Sequence, residues 1–193
     1  MVRFTALTVV ALFSPTLALW PAPRSLNEGT STLRLANSFS ISASFRIPSD
    51  LQDAITRTSQ FLRFDNHAPL VIDRGASLLD TAGRAGQLGR LTLSLNRGSR
   101  VTSISEEAIK ALGQRDESYA LNVPGDGSPA TLVANTTLGL FRGLATFSQL
   151  WYTVDGNVFL QNAPIAITDA PAFVSYFLCF LSWKLNTSTD EII

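Results

Sequence analysis

Few side chains in this sequence are equipped for chemistry. Asp116-Glu117 is the one adjacent acidic pair near an expected strand start, and a glycosidase uses such paired carboxylates to protonate and attack a sugar bond. Carboxylates that do this work flank the bond, about 5 to 9.5 Å apart, whereas neighbours entering a strand point to opposite faces. The pair therefore reads as a solvated strand end. His67 has no cysteine or serine nucleophile beside it and reads as a loop histidine following a helix. It is the only histidine, and Cys179 the only cysteine, so burial and not disulfides must hold the chain together. Neither a cysteine-based metal site nor a histidine cluster can be assembled from them. Gly125-Asp126-Gly127 carries turn chemistry and nothing more. Phe147 and Trp151 could stack on a sugar, but they share helical spacing with Leu140 and Leu144, which makes them core. No catalytic residue, metal ligand or cofactor-binding residue is expected. What remains is modification. Asn135-Thr136-Thr137 and Asn186-Thr187-Ser188 are glycosylation sequons, and Asn135 stands where its side chain could instead cap a helix.

These residues need elements to position them, and the chain of 193 residues has room for one ordinary domain. Hydrophobic residues make up 46% and charged residues 16%, enough apolar surface to bury a core. Fifteen basic residues balance fifteen acidic ones, so nothing in the charge favours nucleic acid or an anionic membrane as partner. Residues 1–18 read as a secretory signal peptide. Arg3 supplies the positive start, the apolar run from Phe4 is broken by Pro15, and Thr16-Leu17-Ala18 offers small residues for cleavage. A membrane anchor would need about 20 predominantly apolar residues. The expected location is therefore extracellular, without membrane attachment once the signal is removed.

Beyond the signal, Trp20-Pro21-Ala22-Pro23 is an extended lead-in. Leu33 with Leu35, and then Phe39, Ile41 and Ala43, alternate as short half-buried strands. Ser49 and Gln52 have capping-box spacing, and Leu51, Ala54, Ile55, Thr58 and Leu62 line one helix face, with Asp65-Asn66 as its end. Residues 68–89 read as a long surface excursion, followed by a strand at Leu91, Leu93 and Leu95. A short helix is expected over Ser105–Leu112, with Ser105 as its cap. Tyr119, Leu121 and Val123, the turn Pro124–Gly127, and Ala130, Leu132 and Ala134 make a hairpin. A second helix carries Leu140, Leu144, Phe147 and Trp151, capped by Thr136 or Thr137. Its Gly139 and Gly143 call for close packing on the sheet, because each costs about 1 kcal/mol in a helix interior. Val154–Val158 reads as a hairpin, and Ile165 with Ile167 as a last short strand. The order predicts an α+β layer: a largely antiparallel sheet with two main helices covering one face.

The stretch Gly139-Leu140-Phe141-Arg142-Gly143-Leu144-Ala145-Thr146-Phe147-Ser148-Gln149-Leu150 resembles the helix that ends the N-terminal domain of eukaryotic β-N-acetylhexosaminidases of glycoside hydrolase family 20. Leu19–Pro23, Asp116–Leu121 and Asp169–Phe173 resemble, in order, the mature start, the acidic-Ser-Tyr strand and the segment leading into the catalytic barrel. The resemblance covers residues 19–173 and is nearest to the fungal branch. It implies a zincin-like α+β domain, without zinc, whose partner is the enzyme's own catalytic barrel. The complete enzymes remove terminal N-acetylglucosamine or N-acetylgalactosamine from chitooligosaccharides and glycans. They do so by substrate-assisted catalysis, with an Asp-Glu pair in the barrel. Asp116-Glu117 is not that pair, and where the family places an Arg-Gly strand this sequence has Val174-Ser175-Tyr176. The resemblance thus implies a supporting domain cut off before its barrel and inactive alone. The other reading is a stand-alone secreted module that binds carbohydrate or a protein partner. Residues 174–193 are expected to be an aberrant tail. Val-Ser is what consensus splice-donor bases encode, and Phe177–Trp183 has the bias of translated pyrimidine-rich noncoding sequence.

Overall fold

The computed structural model describes residues 19–64 and 85–170. His67, Cys179, Asn186, the signal segment and the tail lie outside them. The described residues form a mixed α/β fold with one six-stranded sheet and three α-helices. The strands are β1 (Ser25–Ala43), β2 (Gly86–Leu95), β3 (Tyr119–Val123), β4 (Ala130–Ala134), β5 (Tyr152–Val154) and β6 (Asn157–Asp169). The helices are α1 (Ser49–Phe64), α2 (Ile104–Ala108) and α3 (Thr137–Gln149), with a 3-10 turn at Leu112–Gln114. Strand order is β1-β2-β4-β3-β6-β5, with β1 also pairing to β6. Contacts β3–β4, β3–β6, β5–β6 and β1–β6 are antiparallel, whereas β1–β2 and β2–β4 are parallel.

The expected hairpin is present. Tyr119 faces Ala134 and Leu121 faces Leu132 across β3 and β4, and both strands alternate buried with more accessible residues. The second hairpin closes through Asp155 (φ 48°) and Gly156 (φ 71°), the two left-handed residues that a type I′ turn needs.

The first strand departs from expectation. The two short strands are one strand of 19 residues. Its first half is antiparallel to β6 and its second half parallel to β2. Strands β2 and β6 point the same way in the sheet, since β3 is antiparallel to both β4 and β6 and β2 is parallel to β4. In β1, Leu33 and Arg34 make both pairings at once, with β6 on one edge and β2 on the other. The register of β1 slips between Glu28 and Leu33 and again between Leu35 and Ser40, as at β-bulges. The last strand is likewise longer than Ile165 and Ile167 suggested. Its buried set changes phase after Phe159-Leu160, and between them and Ala163 Asn162 takes φ 62°. Asparagine tolerates that conformation better than most residues.

Three boundaries are corrected. The excursion of residues 68–89 ends earlier, because Gly86, Gln87 and Leu88 already pair with β1 in β2. The short helix is capped by Ser103, not Ser105. Ser103 Oγ accepts from the Glu106 backbone N–H while the Glu106 carboxylate accepts from that of Ser103. Ser105 instead donates its backbone N–H and its hydroxyl to Asp50 Oδ2. At the start of α1, Ser49 is already helical. The Pro48 carbonyl takes the bond from Gln52, and Asp50 Oδ1 accepts from the Leu51 N–H. The carboxylate of Asp50 thus ties together the starts of α1 and α2.

Helix α3 sits close on the sheet. A Cβ on Gly139 would strike the Ser118 carbonyl oxygen, and one on Gly143 the Leu132 side chain. Burial of Leu140, Leu144 and Phe147 against the hairpin and α1 offsets the helix-propensity cost of these glycines. Phe147 stacks on Phe39 of β1 at 6.0 Å and meets Trp151 edge-on at 5.6 Å. Phe147 and Trp151 are both core, as their spacing suggested, although α3 ends at Gln149 and Trp151 lies just beyond it.

Candidate functional site

The acidic pair lies where the loop before β3 passes the start of α3, and each carboxylate has its own partners. Asp116 Oδ1 accepts from the backbone N–H and the hydroxyl of Ser118, and Oδ2 accepts from Asn135 Nδ2 at 2.7 Å. Thr136 Oγ1 donates to the Asp116 carbonyl at 2.5 Å and accepts from the Gly139 N–H as the N-cap of α3. Thr136, not Asn135, is therefore the cap. Asn135 is exposed, and its Oδ1 accepts from Asn96 Nδ2 at 2.6 Å. Burial raises the Asp116 carboxyl pKa, but hydrogen bonds from Ser118 and Asn135 outweigh it and hold it below the usual value.

Glu117 is buried and pairs with Arg142 Nε of α3 at 2.7 Å. The expectation of a solvated strand end is thus corrected. Both carboxylates are tied into the junction of β3, β4 and α3, one by Ser118 and Asn135 and one by Arg142. A carboxylate held by an ion pair or by three hydrogen bonds is poorly placed to donate a proton to a leaving group. Sequence reasoning missed Arg142 as the partner of Glu117, because helical spacing reported only the apolar face of α3.

On the far side of Arg142 lies a cleft of about 220 Å³, lined by Trp20, Tyr119, Phe141, Arg142, Gln149 and Asp169 among others. Its rim is made by the lead-in. Gln149 Oε1 accepts from the Trp20 N–H at 2.8 Å, and Gln149 Nε2 donates to the Trp20 carbonyl at 3.0 Å. Asp169 Oδ1 accepts from the backbone N–H of Arg24 and of Ala170, and the Tyr119 and Thr146 hydroxyls are bonded at 2.6 Å. The backbone of Trp20 is therefore fixed while its side chain is left in solvent, 79% exposed. The sequence placed Trp20 in an extended segment and gave no sign that it would stand beside Arg142 and Asp169.

Among the described residues, no group of three or more His, Cys, Asp or Glu could hold a metal ion. None of their helices is long and apolar enough to cross a membrane.

Comparison with known proteins gives the fold a context. The chitobiase of Flavobacterium johnsoniae is similar with a TM-score of 0.52 at 19% identity, over 79% of this chain and 20% of that one. The protein CpGH84B is similar with a TM-score of 0.50 at 16% identity, over 82% of this chain and 23% of that one. The chain therefore spans about a fifth of the length of these structures, and at such identities the likeness is one of fold. No curated protein sequence matches significantly. The sequence profile described as "beta-acetyl hexosaminidase like" matches residues 19–150, more than half of the chain. That span takes in both hairpin strands β3 and β4, the Asp116–Glu117 junction and all of α3, and the chain belongs to the β-acetyl hexosaminidase-like family.

Proposed function

We propose that residues 19–173 serve as the non-catalytic N-terminal domain of a secreted β-N-acetylhexosaminidase of the fungal type, with a zincin-like layer supporting the enzyme's own catalytic barrel. The parent enzyme would remove terminal N-acetylglucosamine or N-acetylgalactosamine from chitooligosaccharides and glycans. The chain itself would not catalyse. The observation that carries this reading is the profile match over residues 19–150, joined to the structural use of both Asp116 and Glu117. The cleft beside Arg142 is the surface assigned to the barrel. Strand β6 delivers the chain to its edge at Asp169-Ala170, so whatever follows starts there.

The test is turnover of a chromogenic N-acetylglucosaminide by the purified chain, and by the chain co-expressed with a hexosaminidase barrel. No turnover alone, with Trp20→Ser lowering the yield of active complex, supports the reading. Turnover by the chain alone, abolished by Asp116→Ala or Glu117→Ala, overturns it. The stand-alone module draws on the same cleft, since an exposed indole beside Arg142 and Asp169 is also a surface for a sugar. Glycan binding by the isolated chain that is lost in Trp20→Ser would favour that alternative.

A further inference from the structure

We propose that Asn135 carries an N-linked oligosaccharide, which leaves the fold at the β4–α3 junction. The proposal rests on the secretory reading above. Its first support is the sequon Asn135-Thr136-Thr137 on an exposed asparagine. The second, independent support is the hydroxyl of Thr137. Thr137 is fully buried at the first position of α3, and its Oγ1 has no hydrogen-bond partner among the described residues. A buried hydroxyl without a partner is a standing cost to the folded state, and a valine would fill the same space without it. The fold therefore gains nothing from an oxygen two residues after Asn135. That oxygen has a use before folding, when a sequon is accessible and its hydroxyl is required.

The folded site can hold the product. Asn135 Oδ1 accepts from Asn96, and Nδ2 donates to Asp116. A carboxamide nitrogen has two N–H groups, so substitution of one leaves the other for Asp116. In the transfer, Nδ2 forms a bond to C1 of an oligosaccharide carried on a lipid pyrophosphate. The C1–O bond breaks, the pyrophosphate leaves with the bonding electrons, and the displaced Nδ2 proton passes to solvent.

Asn135→Gln is a poor probe, because it also removes the bonds to Asn96 and Asp116. Thr137 separates the two roles. The full chain carrying Asn186→Gln is expressed in a eukaryotic secretory host in two forms, with its own first 18 residues and with an established secretory leader in their place. Each is treated with peptide N-glycosidase. One glycan's worth of mobility shift is expected in the parent and in Thr137→Ser, with conversion of Asn135 to aspartate seen by mass spectrometry. Thr137→Val should show no shift, while its melting temperature equals or exceeds that of the enzymatically deglycosylated parent. Absence of a shift in the form with the exchanged leader overturns the proposal, as does a shift that persists in Thr137→Val. A chain glycosylated only behind the exchanged leader supports the acceptor assignment and overturns the secretory reading instead.

Discussion

At the scale of single residues, the junction of β3, β4 and α3 turns on two carboxylates. Glu117 is 7% exposed and Arg142 is 24% exposed, so their ion pair is neither deeply buried nor a surface pair. Removing one partner of a fully buried pair costs about 3–5 kcal/mol, because the other charge is stranded. With solvent reaching Arg142, Arg142→Ala is expected to cost about 1–3 kcal/mol in urea denaturation, below that range. Adding Glu117→Gln should recover part of the loss. Asp116 makes a different prediction. Its folded pKa is depressed below the ordinary 3.8, so its contribution is fully present above that value. It is lost as pH falls through the lower folded pKa. Asp116→Asn should destabilise the chain at pH 7, with the difference from the parent shrinking progressively in melts taken below about pH 4.

At the scale of elements, α3 shows how packing overrides propensity. Replacing an interior helical glycine by alanine ordinarily gains about 1 kcal/mol. Here the added Cβ of Gly139→Ala meets the backbone oxygen of Ser118, which cannot move without shifting the start of β3. That of Gly143→Ala meets both methyls and Cγ of the buried Leu132 side chain, which can yield more readily than a backbone oxygen. Gly139→Ala is therefore expected to destabilise by about 1–3 kcal/mol, in the range of overpacking, and Gly143→Ala by clearly less. Chemical denaturation of both variants checks the order, and Gly143→Ala proving the costlier would contradict it. The same close approach brings Arg142 within reach of Glu117, so the packing of α3 and the wiring of the acidic pair have one cause.

At the scale of the whole molecule, the large apolar side chains exposed among the described residues are Trp20, Phe64, Val101, Ile109 and Leu112. Trp20 stands out because Gln149 fixes its backbone on both sides, so its side chain is presented on an anchored segment. Under the proposed function this side chain would be covered by the barrel, and left uncovered it offers apolar surface for association. Sedimentation of the isolated chain should show concentration-dependent self-association, reduced in Trp20→Ser. A monodisperse monomer at high concentration would count against the cleft as a docking surface.

Local pattern alone determined the hairpin at Pro124–Gly127, the helices around Leu51–Leu62 and Leu140–Phe147, a threonine cap on α3 and the resemblance to hexosaminidases. Each depends on residues within one or two turns of each other, where periodicity and turn chemistry operate. Only the tertiary structure decided the mixed pairing of β1, parallel to β2 and antiparallel to β6, because a strand's partners on either side are not written in its own alternation. It also decided the partners of Asp116 and Glu117, the burial of Thr137 and the anchoring of Trp20. Arg142 is 25 residues from Glu117 and Gln149 is 129 residues from Trp20, and no local spacing encodes contacts at such separations. They form because α3 lies close against the sheet and brings its polar flank to the loop before β3 and to the lead-in. The family could be read from a linear stretch, and the uses of its polar residues only from the folded chain.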